Sequence, residues 1–152
     1  MRIFSHTCSN TEIVCALGCA RMLVGVDADS DHPPELVAGL PKTGRDLDLD
    51  VDAVLRLEPD LVLTSLTVPG HERVVAALQA AGLQTLVCDP QSLDDVNGDI
   101  RRIAETLGVP AQGEALVARM EAAMPHVEPQ GPRPAVLVEW WPKPVIVPAQ
   151  RS

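Results

Sequence analysis

Residues 61–88 read LVLTSLTVPGHERVVAALQAAGLQTLVC. The stretch opens on a continuous apolar run, Leu61 to Leu63, bounded by Asp60 and Thr64. A run without polar alternation suits a parallel strand buried on both faces. Val74, Val75 and Leu78 then recur at helical spacing and predict a helix over about 71–81, ended by the C′ glycine Gly82. Thr85 to Cys88 reads as a strand again. A strand–helix–strand unit of this kind requires parallel strands, because the helix carries the chain back to its starting edge.

The alternation continues outward in both directions. Upstream, Asp50 can cap a short helix over 51–57 with Val51, Val54 and Leu55 on its apolar face. Residues 2–6 and 22–26 read as strands. Between them Ser9 and Thr11 offer N-caps, with Glu12 in capping-box position to Ser9, for a helix over about 10–21. Residues 27–35 (DADSDHPPE) read as a loop that Pro33 and Pro34 keep irregular. Downstream, Ser92 caps a helix whose Val96, Ile100, Ile103 and Leu107 step by three and four, and a further helix covers about 111–124. Pro125, Pro129, Pro132 and Pro134 mark a connection before a new strand at 135–139. The order predicts an α/β fold, a parallel sheet flanked by helices, with ligands beyond the carboxyl ends of the strands. We expect a complete N-terminal lobe over 1–91, connecting helices over 92–127, and a linker with the first strand of a truncated second lobe over 128–152.

Composition narrows the function. The 152 residues carry 12 Lys and Arg against 21 Asp and Glu, a net charge of −9. That balance argues against nucleic acid and anionic membrane surfaces, which attract basic clusters. No apolar run approaches the ~20 residues needed to span a bilayer. The opening MRIFSHT runs straight into a strand-like segment and shows no export signal. Cys8, Cys15, Cys19 and Cys88 are too few and too irregular for a disulfide scaffold.

Several motif fragments fail on chemistry. Residues 39–46 (GLPKTGRD) have the glycine spacing of a phosphate loop, but lack its Lys-Ser/Thr pair and lose an amide to Pro41. Asp27, Asp29 and Asp31 mimic a calcium loop whose glycine position is His32 and whose closing position is Ala38. Asp46, Asp48, Asp50 and Asp52 alternate similarly and close on Leu57; solvated turn and helix-cap carboxylates explain both sets. Cys15 and Cys19 sit one helical turn apart without further ligands, which leaves them as small buried residues, whereas Cys8 stands in a strand-to-helix loop at the ligand edge. His6, His32, His71 and His126 are scattered and offer no catalytic set, so no enzyme is expected. Trp140 and Trp141 adjoin a strand end. Their flat rings suit stacking on a flat ligand, and equally suit packing against the rest of a second lobe.

Taken together, SNTEIVCALG (9–18), LVGV (23–26), DHPPE (31–35), TGRDLDLDVDAVLRLEPDLVL (43–63) and AAGLQTLVCDPQSLDDV (80–96) resemble the substrate-binding proteins of ABC importers for cobalamin and iron–siderophores. The likeness covers roughly 1–127, and 135–152 resembles the opening of that family's second lobe. It implies two α/β lobes joined by helices, a ligand cleft between them, and no catalysis. The cleft-facing positions would be Cys8, Asn10, Asp31, His32, Gly44, Arg45, Ser65 and Leu66, with Trp140 and Trp141 on the opposite wall. Glu72 matches the acidic residue that docks on the permease; an acid at a helix start is also favoured by the helix dipole alone. Arg45 could meet a ligand carboxylate or remain a surface arginine. The resemblance implies an extracytoplasmic protein, expected to be monomeric, with a small-molecule ligand and a membrane permease as partners and no cofactor. Its transported ligand would be cobalamin, a related corrinoid or another metal chelate. A ferric-siderophore or heme binder, or a cytoplasmic corrinoid- or metal-handling protein on the same fold, is the alternative.

Overall fold

The computed structural model describes residues 1–125, residue 131 and two short strands, 141–142 and 145–146. Four parallel strands form the main sheet: β1 (Ile3–Ser5), β2 (Leu23–Val26), β5 (Leu61–Ser65) and β6 (Thr85–Cys88), in the order β2-β1-β5-β6. Among the described residues, six α-helices accompany them: α1 (Cys8–Ala16), α2 (Pro34–Val37), α3 (Val51–Arg56), α4 (His71–Ala80), α5 (Leu93–Thr106) and α6 (Pro110–Ala123). Strands β3 (Gly44–Arg45) and β4 (Asp48–Leu49) pair as a small antiparallel hairpin, as do β7 (Trp141–Pro142) and β8 (Val145–Ile146).

Strand pleating explains the two-sided core. Ile3 and Phe4 are neighbours in β1 and point to opposite faces, as do Val62 and Leu63 in β5; all four are fully buried. Ile3 and Leu63 pack with Val14 of α1, Ile100 and Ile103 of α5 and Val117 of α6. Phe4 and Val62 pack with Val54 of α3 and Val74 and Leu78 of α4. Helices therefore cover both faces, as the apolar run at 61–63 predicts. The α5–α6 contact is close enough that a Cβ at Gly113 would stand 2.5 Å from the Ala104 Cβ.

Local signals set several element ends. Asp50 accepts from the Ala53 amide at 2.9 Å and Ser92 from the Asp95 amide at 3.1 Å, so both expected N-caps form. Two expectations are corrected. The first helix starts at Cys8 and ends at Ala16, because Ser9 and Thr11 do not cap it. The Thr11 hydroxyl instead lies among Ser5 Oγ at 2.9 Å, Ser30 Oγ at 3.0 Å and the Thr7 carbonyl at 3.3 Å. Pro33 and Pro34 do not keep their loop irregular, since Pro34 occupies the first turn of α2, where its missing N–H costs nothing. The 39–46 stretch leads into the β3–β4 hairpin, where Gly44 sits at φ +94° and a Cβ would lie 2.4 Å from the Asp48 carbonyl oxygen. The strand expected at 135–139 lies outside the described residues.

Candidate functional site

The sheet order creates a crevice. From β1 the chain goes to β2 on one side, and later returns to β5 on the other. Loops leaving β1 and β5 therefore diverge, and the carboxyl ends of these two strands form the switch point where open α/β sheets bind ligands. A cleft of about 760 Å³ opens there. It is lined by Thr7, Cys8 and Ser9 after β1, by Thr67, Val68 and His71 after β5, by Asp29, and by the tip of the β3–β4 hairpin from Arg45 to Asp48.

Its floor is a network of polar side chains tied together across the sequence. The His6 ring, fully buried, bonds through Nδ1 to Thr64 Oγ1 and donates from Nε2 to the Asp46 carbonyl, both at 2.8 Å. His71 donates from Nε2 to Asp46 Oδ1 at 2.8 Å while its Nδ1 accepts the Val68 amide at 3.3 Å. The two imidazoles meet edge to face, 5.2 Å apart. Burial holds the His6 pKa below its ordinary value, partly offset by its bond to the Asp46 backbone. Asp46 is thus gripped by both histidines, and its own amide donates to Asp29 Oδ2 at 3.1 Å.

His6, Asp46 and His71 have the residue types of a metal site, with one ligand atom from each within 4.8 Å of the others. Their hydrogen bonds oppose that use. Because Nδ1 of His71 accepts an amide proton, its own proton sits on Nε2, the atom a metal would need. Nε2 of His6 likewise faces a carbonyl oxygen, which can only accept. The trio is a clip that fixes the hairpin tip over the ends of β1 and β5.

Asp27 supports the neighbouring loop. Its fully buried carboxylate accepts from the Thr7 amide at 2.8 Å, the Ser30 hydroxyl at 2.7 Å, and the Asp29 and Ser30 amides at 2.9 and 3.0 Å. This corrects the expectation of solvated turn carboxylates for Asp27, and Asp46 departs from it likewise. Thr7 is held at φ 80°, ψ 139°, a region of backbone space that side chains rarely enter. Asp29, next in the turn, is bound by Arg45 through Nη2 at 3.0 Å and Nε at 3.5 Å. That pairing holds the Asp29 carboxyl below the usual carboxylate range.

The expected site residues divide into groups. Cys8 and Arg45 line the cleft, with Gly44 beside Arg45. The exposed Cys8 thiol donates to the Asp29 carbonyl at 3.1 Å, and burial followed by the charge of Asp27 raises its pKa. Asn10 and Ser65 are buried beneath the cleft and brace its floor. Asn10 Nδ2 donates to Ser65 Oγ and to the His6 carbonyl, each at 3.0 Å, and Ser65 Oγ also meets Thr7 Oγ1 at 3.2 Å. Leu66 is half-buried just beyond β5. Asp31 and His32 are exposed on the loop before α2, and His32 lines a different groove, with Ile13 of α1, Ile100 of α5 and Met120 of α6. Glu72 is exposed at the start of α4, its carboxyl held low by its own backbone N–H and that of Gly70. Trp140 lies outside the described residues, and Trp141 falls in β7. Sequence reasoning missed His6, Asp46 and His71 as one cluster. The available signal was positional, since His6 follows β1 and His71 opens α4, both at the ligand edge.

Comparison with known proteins places this architecture. The family model described as periplasmic binding protein matches residues 3–151. An uncharacterized ABC transporter substrate-binding lipoprotein of Bacillus subtilis, YvrC, is 33% identical over 129 residues, covering 84% of this chain and 40% of that protein. A vitamin B12-binding protein of Yersinia pestis is 31% identical over 111 residues, covering 73% of this chain and 39% of that one. Among solved structures, the apo periplasmic heme-binding protein RhuT from Roseiflexus superposes with a TM-score of 0.69 at 37% identity, over 80% of this chain and 46% of that one. The vitamin B12-binding protein BtuF of Vibrio cholerae superposes with a TM-score of 0.69 at 25% identity, over 80% and 47%. The chain thus spans less than half the length of each of these relatives. It belongs to the periplasmic binding protein family of ABC importers, and its parallel sheet with flanking helices matches the first lobe of such proteins.

Proposed function

We propose that the chain supplies one half of a clamp that captures cobalamin or a related corrinoid outside the cytoplasm and hands it to a membrane permease. Residues 1–91 form the first lobe in this reading, 92–127 the connecting helices, and 128–152 the start of the second lobe. The observation that carries it is the cleft at the β1–β5 switch point, open on the side where a second lobe would close, in a chain whose relatives include named vitamin B12-binding proteins. Cys8, Arg45 and the hairpin tip form one wall. Trp140 and Trp141 belong to the opposite wall, and Glu72 meets the permease. No bond is made or broken; grip comes from shape and from fixed polar groups.

Calorimetric titration of cyanocobalamin into the full-length protein tests the reading. Saturable binding at micromolar protein supports it. Absence of heat with cyanocobalamin, alongside saturable binding of heme or a ferric siderophore, would move the ligand to those classes. The 37% identity to a heme-binding structure favours heme as that second reading.

A further inference from the structure

The charged side chains lining the cleft are Asp29, Arg45, Asp46 and Asp48. Arg45 is the cation of this set, and its charge is paired with Asp29, which leaves Asp46 and Asp48 as a net negative charge on the lining. Lys42 reaches the same turn, but its ammonium bonds the Ser30 carbonyl. Asp46 is different from the exposed Asp48. Its side chain is 31% exposed, and Oδ1 accepts a hydrogen bond from His71 Nε2 while lying 3.4 Å from His6 Nε2. Among the described residues, no hydrogen bond reaches Oδ2. The carboxylate is therefore fixed in place on one oxygen, by a side chain that is itself buried, and has acceptor capacity left on the other.

We propose that Asp46 selects the ligand of this cleft: its second oxygen accepts hydrogen bonds from the amide arms of an uncharged metal chelate and repels chelates whose arms are carboxylates. This rests on reading the cleft as a ligand-capture site. The two ligand classes named among the relatives differ in this respect. The arms of the cobalamin corrin end in carboxamides, which donate N–H; the arms of heme end in two propionates, which only accept. A fixed anion in a half-buried wall discriminates between them by Coulomb repulsion and by hydrogen-bond polarity at once.

The test separates arm chemistry from ring chemistry. Four probes are titrated into the full-length protein: dicyanocobinamide and cobyrinic acid, which share a corrin ring with amide or acid arms, and heme and its dimethyl ester, which share a porphyrin with acid or ester arms. The amide corrinoid is expected to bind about tenfold tighter than the acid one, a ratio that shrinks as salt screens the repulsion. Asp46→Asn, which keeps an acceptor for His71, is expected to cut the ratio below about threefold, chiefly by tightening the acid form. Equal or tighter binding of the acid arms, or a ratio unmoved by both salt and Asp46→Asn, overturns the proposal; the salt series in the unmutated protein decides if the variant fails to fold. Should the porphyrins bind and the corrinoids not, the corrinoid reading falls. Asp46 keeps its role in that case only if the ester is preferred over heme. Failure of all four probes overturns both.

Discussion

Replacing Asp27 by Ala removes a carboxylate that no solvent reaches and that four donors share. The donors do not suffer equally. The Ser30 amide keeps a second acceptor in the Asp27 carbonyl at 3.3 Å, whereas the Ser30 hydroxyl, which accepts from Thr11, loses the acceptor of its own proton. The half-buried Asp29 amide can turn to water. The Thr7 amide is left buried and unpaired, which costs about 1–3 kcal/mol, and the lost bonds to a charged acceptor add about 1.5–3 kcal/mol. Release of the strained Thr7 backbone returns roughly 1 kcal/mol. The sum is a loss of about 3 kcal/mol. With a urea slope of about 2 kcal/mol/M, the unfolding midpoint falls by about 1.5 M. Asp27→Asn, which keeps one acceptor oxygen, should lose about half as much. Urea titrations followed by circular dichroism measure both. A midpoint shift under about 0.3 M for Asp27→Ala, or an Asn variant as damaged as the Ala one, would refute the accounting.

Other outcomes follow from the same geometry. Burial sets the His6 pKa below its ordinary 6.5, so the unfolded chain takes up that proton first. Stability should therefore fall as pH drops below about 6.5 and level off beneath the folded-state pKa. A His6→Gln variant should flatten that slope in pH-dependent urea titrations. Of the four thiols, Cys8 alone is exposed, while Cys15, Cys19 and Cys88 are buried. A disulfide-exchange reagent should count one reacting thiol in native protein and four in denaturant. Burial and the nearby Asp99 push the Cys88 pKa up to about 12, so at pH 9 its thiol should stay protonated and unreactive. Glu72→Arg should leave ligand affinity unchanged and impair uptake in a transport assay. Normal uptake would remove Glu72 from the permease interface.

Legibility in the sequence tracked the range of the interaction. Asp50 and Ser92 were readable as caps because donor and acceptor lie three residues apart. Strands β1 and β5 were readable because apolar continuity reports burial on both faces. Ser9 and Thr11 misled because their hydroxyls had two possible uses, local capping or tertiary bonding, and Thr11 bonds Ser30, 19 residues on. Contacts in the site span greater distances still. His71 to Asp46 is 25 residues, His6 to Asp46 is 40, and Thr7 to Ser65 is 58. No periodicity encodes such pairings, so His6 and His71 read as scattered until the sheet brought them together. What the sequence does carry is the change of character along each strand. Ile3 and Phe4 give way to Ser5, His6 and Thr7, and Val62 and Leu63 to Thr64 and Ser65. In a parallel sheet these changes line up, because Phe4 pairs with Val62, and the polar ends become one floor.

Helices α1, α4 and α5 all begin at that same edge, so their positive dipole ends converge on it. An edge of this kind attracts anions, and a first guess would assign it to an anionic ligand. The chain instead supplies the anions itself. Asp27 accepts the Thr7 amide just before α1, Asp46 holds the first side chain of α4, and Asp95 accepts the Gln91 amide just before α5. Glu72 takes the Gly70 amide at the start of α4 as well. A ligand carboxylate entering the cleft would have to displace a carboxylate already hydrogen-bonded there, and would then lie beside it in a half-buried wall. An uncharged ligand faces neither cost. The positive helix ends are thus met by the chain's own carboxylates, Glu72 and Asp95 from first turns and Asp27 and Asp46 from neighbouring loops, so the dipoles alone do not set the sign of a ligand.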